Sequence, residues 1–228
     1  WFVGLNQAYS NYADSLRGDS VVEARAAADL DPALNLYPLQ VAHIMGRDAY
    51  DGERPVEEAI TAYERALDLE PTWDTGWLNL AALYELAGDR ETAFEHVQAA
   101  YIINPLTTSA LHLARLGQET GLLPDDEILY LYETAMRRQS PPRSDFWTVT
   151  ELRRMAFENV VADLPIDEQY QTYIAHDRDA DAAEIVPDAP RTAAEYWVAG
   201  EHALTVAGDP EAADEYFSAA IDRDRDNG

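Results

Sequence analysis

"WLNLAALYELAGDRETAFEHVQAAYIINP" (residues 77–105) and "WVAGEHALTVAGDPEAADEYFSAAI" (residues 197–221) decide the fold, because they are nearly one phrase written twice. Aligned on Trp77 and Trp197, Gly88 and Gly208 fall 11 residues on, Ala93 and Ala213 fall 16 on, and Ala100 and Ala220 fall 23 on. In the first phrase Trp77, Leu80, Ala81 and Tyr84 stand at i, i+3, i+4 and i+7, one stripe of a helix. Gly88-Asp89 predicts the stop of that helix and the start of another. Ala93, Val97 and Ala100 then face back onto the first helix, where small side chains permit close approach and the tryptophan fills the remaining volume. Pro105 closes the unit, since proline cannot continue a helix.

The same frame recurs along the chain. "AADLDP" ends at Pro32, "ALDLEP" at Pro71, "AYIINP" at Pro105 and "AMRRQSP" at Pro141, spaced 39, 34 and 36 residues apart. Six residues beyond each proline lies the tryptophan-equivalent site: Pro38, Trp77, Leu111 and Trp147. Leu5 and Trp197 complete six units. This pattern resembles the tetratricopeptide repeat, whose period is about 34 residues. Trp77, Leu80, Ala81, Tyr84, Ala93, Ala100 and Pro105 match its positions, with Val97 in place of a phenylalanine. Ala59, Tyr63, Ala66 and Pro71 carry it in the second unit, and Trp197, Ala213, Phe217 and Ala220 in the last, where Gly200 and Glu201 depart from the Leu-Gly pair. The resemblance implies an all-α right-handed superhelix of about six stacked hairpins, because one hairpin cannot bury both its faces.

Departures from the period predict irregularities. "YDGERP" (residues 50–55) lengthens the turn of the second unit by about five residues. Trp147 and Trp197 are 50 residues apart, so the fifth unit is degenerate. The expected organisation is repeats over 1–161, an irregular helix running into an acidic loop over 162–190, and a last repeat with a charged tail over 191–228. A two-lobed arrangement broken near 162–190 fits the same pattern.

Composition narrows the function. The 228 residues carry 43 acids and 16 bases, a net charge of −27, and every base is arginine. Such a surface repels nucleic-acid phosphates and anionic lipid headgroups; solubility, with or without adaptation to high salt, is the simplest account of it. Absence of cysteine excludes disulfides, thiolate zinc sites and cysteine nucleophiles. No nucleophile elbow, His-Glu-x-x-His or glycine-rich phosphate loop is present. A non-catalytic chain without cofactors is therefore expected.

Each unit's first helix carries a second stripe, one residue past the tryptophan line: Leu39, His43, Arg47; Leu78, Ala82, Leu86; His112, Leu116, Thr120; Val198, His202, Val206. In the resembled family this face lines a concave groove for extended or helical peptides. The partner-binding candidates are accordingly Leu39, His43, Arg47, Leu78, Ala82, Leu86, His112 and Leu116. The competing reading packs them against neighbouring repeats or another part of a longer chain. If they form a groove, Leu78→Glu and Leu116→Glu should leave stability nearly unchanged. The resemblance also offers a clamp for carboxylate tails, but the chain has no lysine, and Ala82 and His43 stand where the clamp wants asparagine. His43, His112 and His202 lack acids at ligand spacing. Asp177, Asp179, Asp181 and Asp188 have calcium-loop spacing, but Ala182 replaces the loop's glycine and Asp188 its glutamate, so a solvated acidic linker is the simpler reading.

Two functions follow as expectations. One is a scaffold holding a protein or peptide of apolar or basic character, with self-association as a variant. The other is the extracytoplasmic tail of a multi-spanning bacterial envelope protein, such as a surface-polysaccharide polymerase or ligase; the apolar opening "WFVGL" fits an excised or processed piece of this kind.

Overall fold

Alanine spacing explains how the helices pair. The structure, a computed structural model, describes residues 2–18, 20–138 and 144–225. The chain divides into two compact units, Trp1–Arg138 and Gln139–Gly228. Described residues of the first unit form α1 (Phe2–Gly18), α2 (Val21–Leu30), α3 (Leu36–Tyr50), α4 (Val56–Leu69), α5 (Asp74–Ala87), α6 (Arg90–Ile103), α7 (Thr107–Thr120) and α8 (Asp125–Arg138). They pack as consecutive hairpins, α1 on α2, α3 on α4, α5 on α6 and α7 on α8, and each hairpin also packs on the next. The described residues contain no strand.

Ala59, Ala66, Ala93 and Ala100 are wholly buried, as the hairpin reading requires. Gly88 ends α5 with φ +87°, a left-handed conformation that costs glycine nothing. Asp89 then caps α6, its carboxylate accepting the Thr92 N–H at 3.1 Å. The last unit repeats the device. Gly208 has φ +65°, and the Asp209 carboxylate accepts the Ala212 N–H at 3.0 Å. Helices α2, α4 and α6 end two residues before Pro32, Pro71 and Pro105. The Leu5 side chain and Pro141 lie outside the described residues. The turn between α3 and α4 spans residues 51–55, where the sequence places its insertion.

Described residues of the second unit form α9 (Ser144–Thr148), α10 (Glu151–Ala162), α11 (Ile166–Ala175), α12 (Asp179–Glu184), α13 (Ala193–His202) with a π-turn over Ala203–Ala207, and α14 (Pro210–Arg225). Among the described residues of this unit, only α13 and α14 repeat the hairpin of the first unit. Phe217 packs onto Gly200, where an added Cβ would stand 2.6 Å from the ring. That close approach accounts for the departure from Leu-Gly at this position. Trp197 leans on Phe217 with ring centroids 4.9 Å apart, yet remains 46% exposed.

Trp147 does not open a hairpin helix as Trp77 does. It sits on the five-residue α9, fully buried against Phe146 and Phe157, and Thr150 starts a new helix by capping Arg153. Residues 162–190 are the segment expected as an irregular helix running into an acidic loop. They hold the separate helix α11, which packs on α12 and α13, and the short α12, whose Ala182 is wholly buried.

Overpacking at the alanine frame tests this account. Ala100→Leu should lower stability by about 1–3 kcal/mol, read as a lower urea midpoint at unchanged slope. Ala87→Leu, at an exposed position of α5, should stay within about 0.5 kcal/mol of the parent.

Candidate functional site

An i, i+4, i+8 line advances about 80° around a straight helix, because 3.6 residues make a turn. The second stripe therefore drifts along each helix but stays within the width of one face, and its members differ in exposure from one repeat to the next. Leu39 is half-buried against the core around Ala42 and Leu80. His43 is exposed, and Arg47 is half-buried and pairs with Asp48 at 3.1 Å. Leu78 and Ala82 are half-buried, whereas Leu86 is 49% exposed. His112 is half-buried, and Leu116 is fully buried. Leu116 thus offers no surface to a partner, and its expected tolerance of glutamate is corrected: it is core. In the second unit Val198 is buried, His202 half-buried and Val206 exposed.

The face of α3 and α5 does form a cleft, of about 160 Å³, which takes in His43 and Arg47 together with Gly46, Tyr50, Tyr63, Asn79 and Leu83. Tyr63 comes from α4 and reaches this face over Gly46, where an added Cβ would stand 2.8 Å from its ring. Asn79 donates from Nδ2 to the Tyr63 hydroxyl at 3.1 Å. Burial pushes the Tyr63 phenol up to about 12 against the lowering effect of that hydrogen bond, so it stays protonated at neutral pH.

Beyond the cleft the face becomes ionic. Arg115 of α7 donates from Nη2 to both oxygens of Glu85, at 2.7 and 2.8 Å, and from Nη1 to Glu119. His112 Nδ1 lies 3.4 Å from the same guanidinium. Burial, then the charge of Arg115, holds the His112 pKa below its ordinary value. The face is more polar than the stripe suggested. Tyr50, Tyr63, Asn79, Glu85 and Arg115 escaped the sequence reading. Glu85 and Arg115 had a signal available, each following a stripe residue (Ala82, His112) by three. Tyr63 had none, because its access depends on the missing side chain of Gly46.

In the second unit the calcium-loop spacing does not produce a ligand set. Asp179 and Asp181 lie in α12, and Arg178 binds Asp181 at 2.7 Å and Glu158 at 2.6 Å. Its guanidinium also lies over Phe157 and Tyr173. Among the described residues no group of three or more His, Asp or Glu side chains is arranged to hold a metal. No described helix is long and apolar enough to cross a membrane.

Two outcomes are expected. Leu116→Glu should cost about 3 kcal/mol or more by burying a charge, whereas Leu86→Glu should leave the urea midpoint unchanged. His112 takes its proton less readily in the folded chain than in the unfolded chain, where its pKa is near 6.5. The stability of the parent relative to His112→Gln should therefore be constant above that pH, and decline as pH falls through the depressed folded value. Carboxylates common to both proteins cancel in this difference.

No protein-family model matches the chain, and no curated protein matches it. Among solved structures it is similar to a tetratricopeptide repeat protein from Parabacteroides merdae ATCC 43184, at 16% identity, 96% coverage of this chain, 93% of that chain and TM-score 0.49. It is also similar to pilF of Pseudomonas aeruginosa, at 14% identity, 94% and 87% coverage and TM-score 0.48. A further similar structure is the MamA protein, at 11% identity, 90% and 94% coverage and TM-score 0.46. By their own hairpin geometry, with glycine stops, aspartate restarts and a buried alanine frame, the described residues of the first unit and the last hairpin of the second have an all-α helical-repeat fold.

Proposed function

We propose that the first unit is a non-catalytic scaffold that holds a peptide or protein segment along the first-helix face of α3, α5 and α7. The observation that carries this reading is the Tyr63-floored cleft at Gly46, which combines an open shape with hydrogen-bonding groups; Leu86, one turn past the lining residue Leu83 on α5, is exposed. Extended or helical segments suit such a face, with side chains in pockets and polar contacts fixing register. The net charge of −27 favours approach by basic partners and disfavours polyanions. On this face Arg47 pairs with Asp48 and Arg115 with Glu85, which moderates its positive charge. The preferred partner is thus a segment of mixed apolar and basic character.

Panning a random peptide library on the purified protein tests this. Selected peptides should be rich in basic and apolar residues, and Leu86→Arg should weaken them roughly tenfold or more. Leu106→Arg, a control at another exposed leucine outside this stripe, should leave binding intact. Selection of acidic peptides, or equal binding by Leu86→Arg and Tyr50→Ala, would overturn the reading.

A further inference from the structure

A slot recurs at repeat spacing where the second helix of one hairpin meets both helices of the next. Between α2, α3 and α4 it measures about 220 Å³, and between α4, α5 and α6 about 390 Å³. The furnishing of the two differs at equivalent positions. Arg25, Pro38 and Ala62 in the first slot become Glu64, Trp77 and His96 in the second. The first slot balances Arg25 and Arg65 against Asp29 and Glu58. The second has Glu64 and Asp68 and no basic residue except the imidazole of His96. Neither carboxylate has an ion-pair partner among the described residues.

The walls of the second slot are fixed. The Trp77 indole donates to the Pro71 carbonyl at 2.9 Å, which sets the plane of its ring. His96 lies between Trp77 and Tyr84, with ring centroids 5.4 and 5.1 Å away. Tyr84 donates its hydroxyl to Glu64 Oε1 at 2.9 Å and so orients that carboxylate. Burial holds the His96 pKa below its ordinary value, leaving the imidazole neutral at pH 7 and unable to repel a cation. Its Nε2 is buried and has no hydrogen-bond partner among the described residues.

We propose that the slot between α4, α5 and α6 binds an organic ammonium group against Trp77, with Glu64 and Asp68 as counter-charges. A cation gains from the negative face of an indole, most where water is partly excluded. Glu64 and Asp68, one turn apart on α4, offer acceptors in different directions, which suits the tetrahedral N–H donors of an ammonium better than a planar guanidinium. The chain contains no lysine, so a lysine-type ammonium comes from outside it, as a free alkylamine or as a lysine of a bound peptide.

Titration of the Trp77 indole N–H resonance at constant ionic strength tests the site. n-Butylammonium should give a saturable shift, and n-butanol, its neutral counterpart, none. Glu64→Gln/Asp68→Asn, which changes only exposed side chains, should keep the fold and weaken binding roughly tenfold. Trp77→Leu, followed by calorimetry, should weaken it similarly. A blocked Gly-Lys-Gly peptide binding at least tenfold more tightly than n-butylammonium would identify a peptide lysine as the source, and equal binding a free amine. No saturation in the parent, equal binding by n-butanol or guanidinium, or undiminished binding by the double carboxamide variant would overturn the proposal.

Discussion

Close approach of paired helices at alanine is the constraint on which the regular part of the molecule depends. Ala59 and Ala66 in α4, Ala93 and Ala100 in α6, and Ala213 and Ala220 in α14 are all buried, and a larger side chain in a close-packed interior would have to push its neighbours aside. Once a helix pair is this close, the bulky partners must lie beside the contact. Leu80, Leu83 and Tyr63 do so in the core of the first unit, and Phe217 does so over Gly200 in the last hairpin. Position along the repeat is then fixed by local chemistry: a left-handed glycine ends one helix and an aspartate begins the next.

The second unit shows what happens when this constraint lapses. Around Trp147 the chain places a large buried aromatic on a helix of only five residues, and a cap at Thr150 restarts it. The order that alanine spacing gives elsewhere comes here from Arg178. It binds two carboxylates and covers two aromatic rings, so that α10, α11 and α12 share one side chain. A guanidinium is suited to this, being planar, permanently charged and weakly hydrated. Of the acids that resemble a cation loop in sequence, Asp181 is part of this structural knot.

Charge and repeat architecture act together. Solenoid repeats reuse one backbone geometry while each unit changes its side chains. The slots beside Pro38 and Trp77 illustrate this, since the same three-helix setting is apolar and charge-balanced in one repeat and aromatic and acidic in the next. The first-helix face varies in the same way, passing from the Tyr63-floored cleft to the Glu85–Arg115 pair. A chain of this kind can present several chemically distinct surfaces without altering its fold.

The hairpins of the first unit and the last hairpin were legible in the sequence. Alanine, glycine-aspartate and proline act within a few residues of where they stand, so their spacing alone sets helix ends and contacts. The site was legible only in part. The stripe's His43 and Arg47 line the cleft, whereas Leu116 is core although the equivalent His43 is exposed, a difference that periodicity within one helix does not carry. Tertiary structure alone brought Tyr63 through to the opposite face at Gly46 and joined Glu85 to Arg115 across 30 residues. It alone enclosed Trp77 and His96 with two acids from another hairpin. Those arrangements depend on which helices become neighbours and how closely they approach, and no single helix encodes that distance.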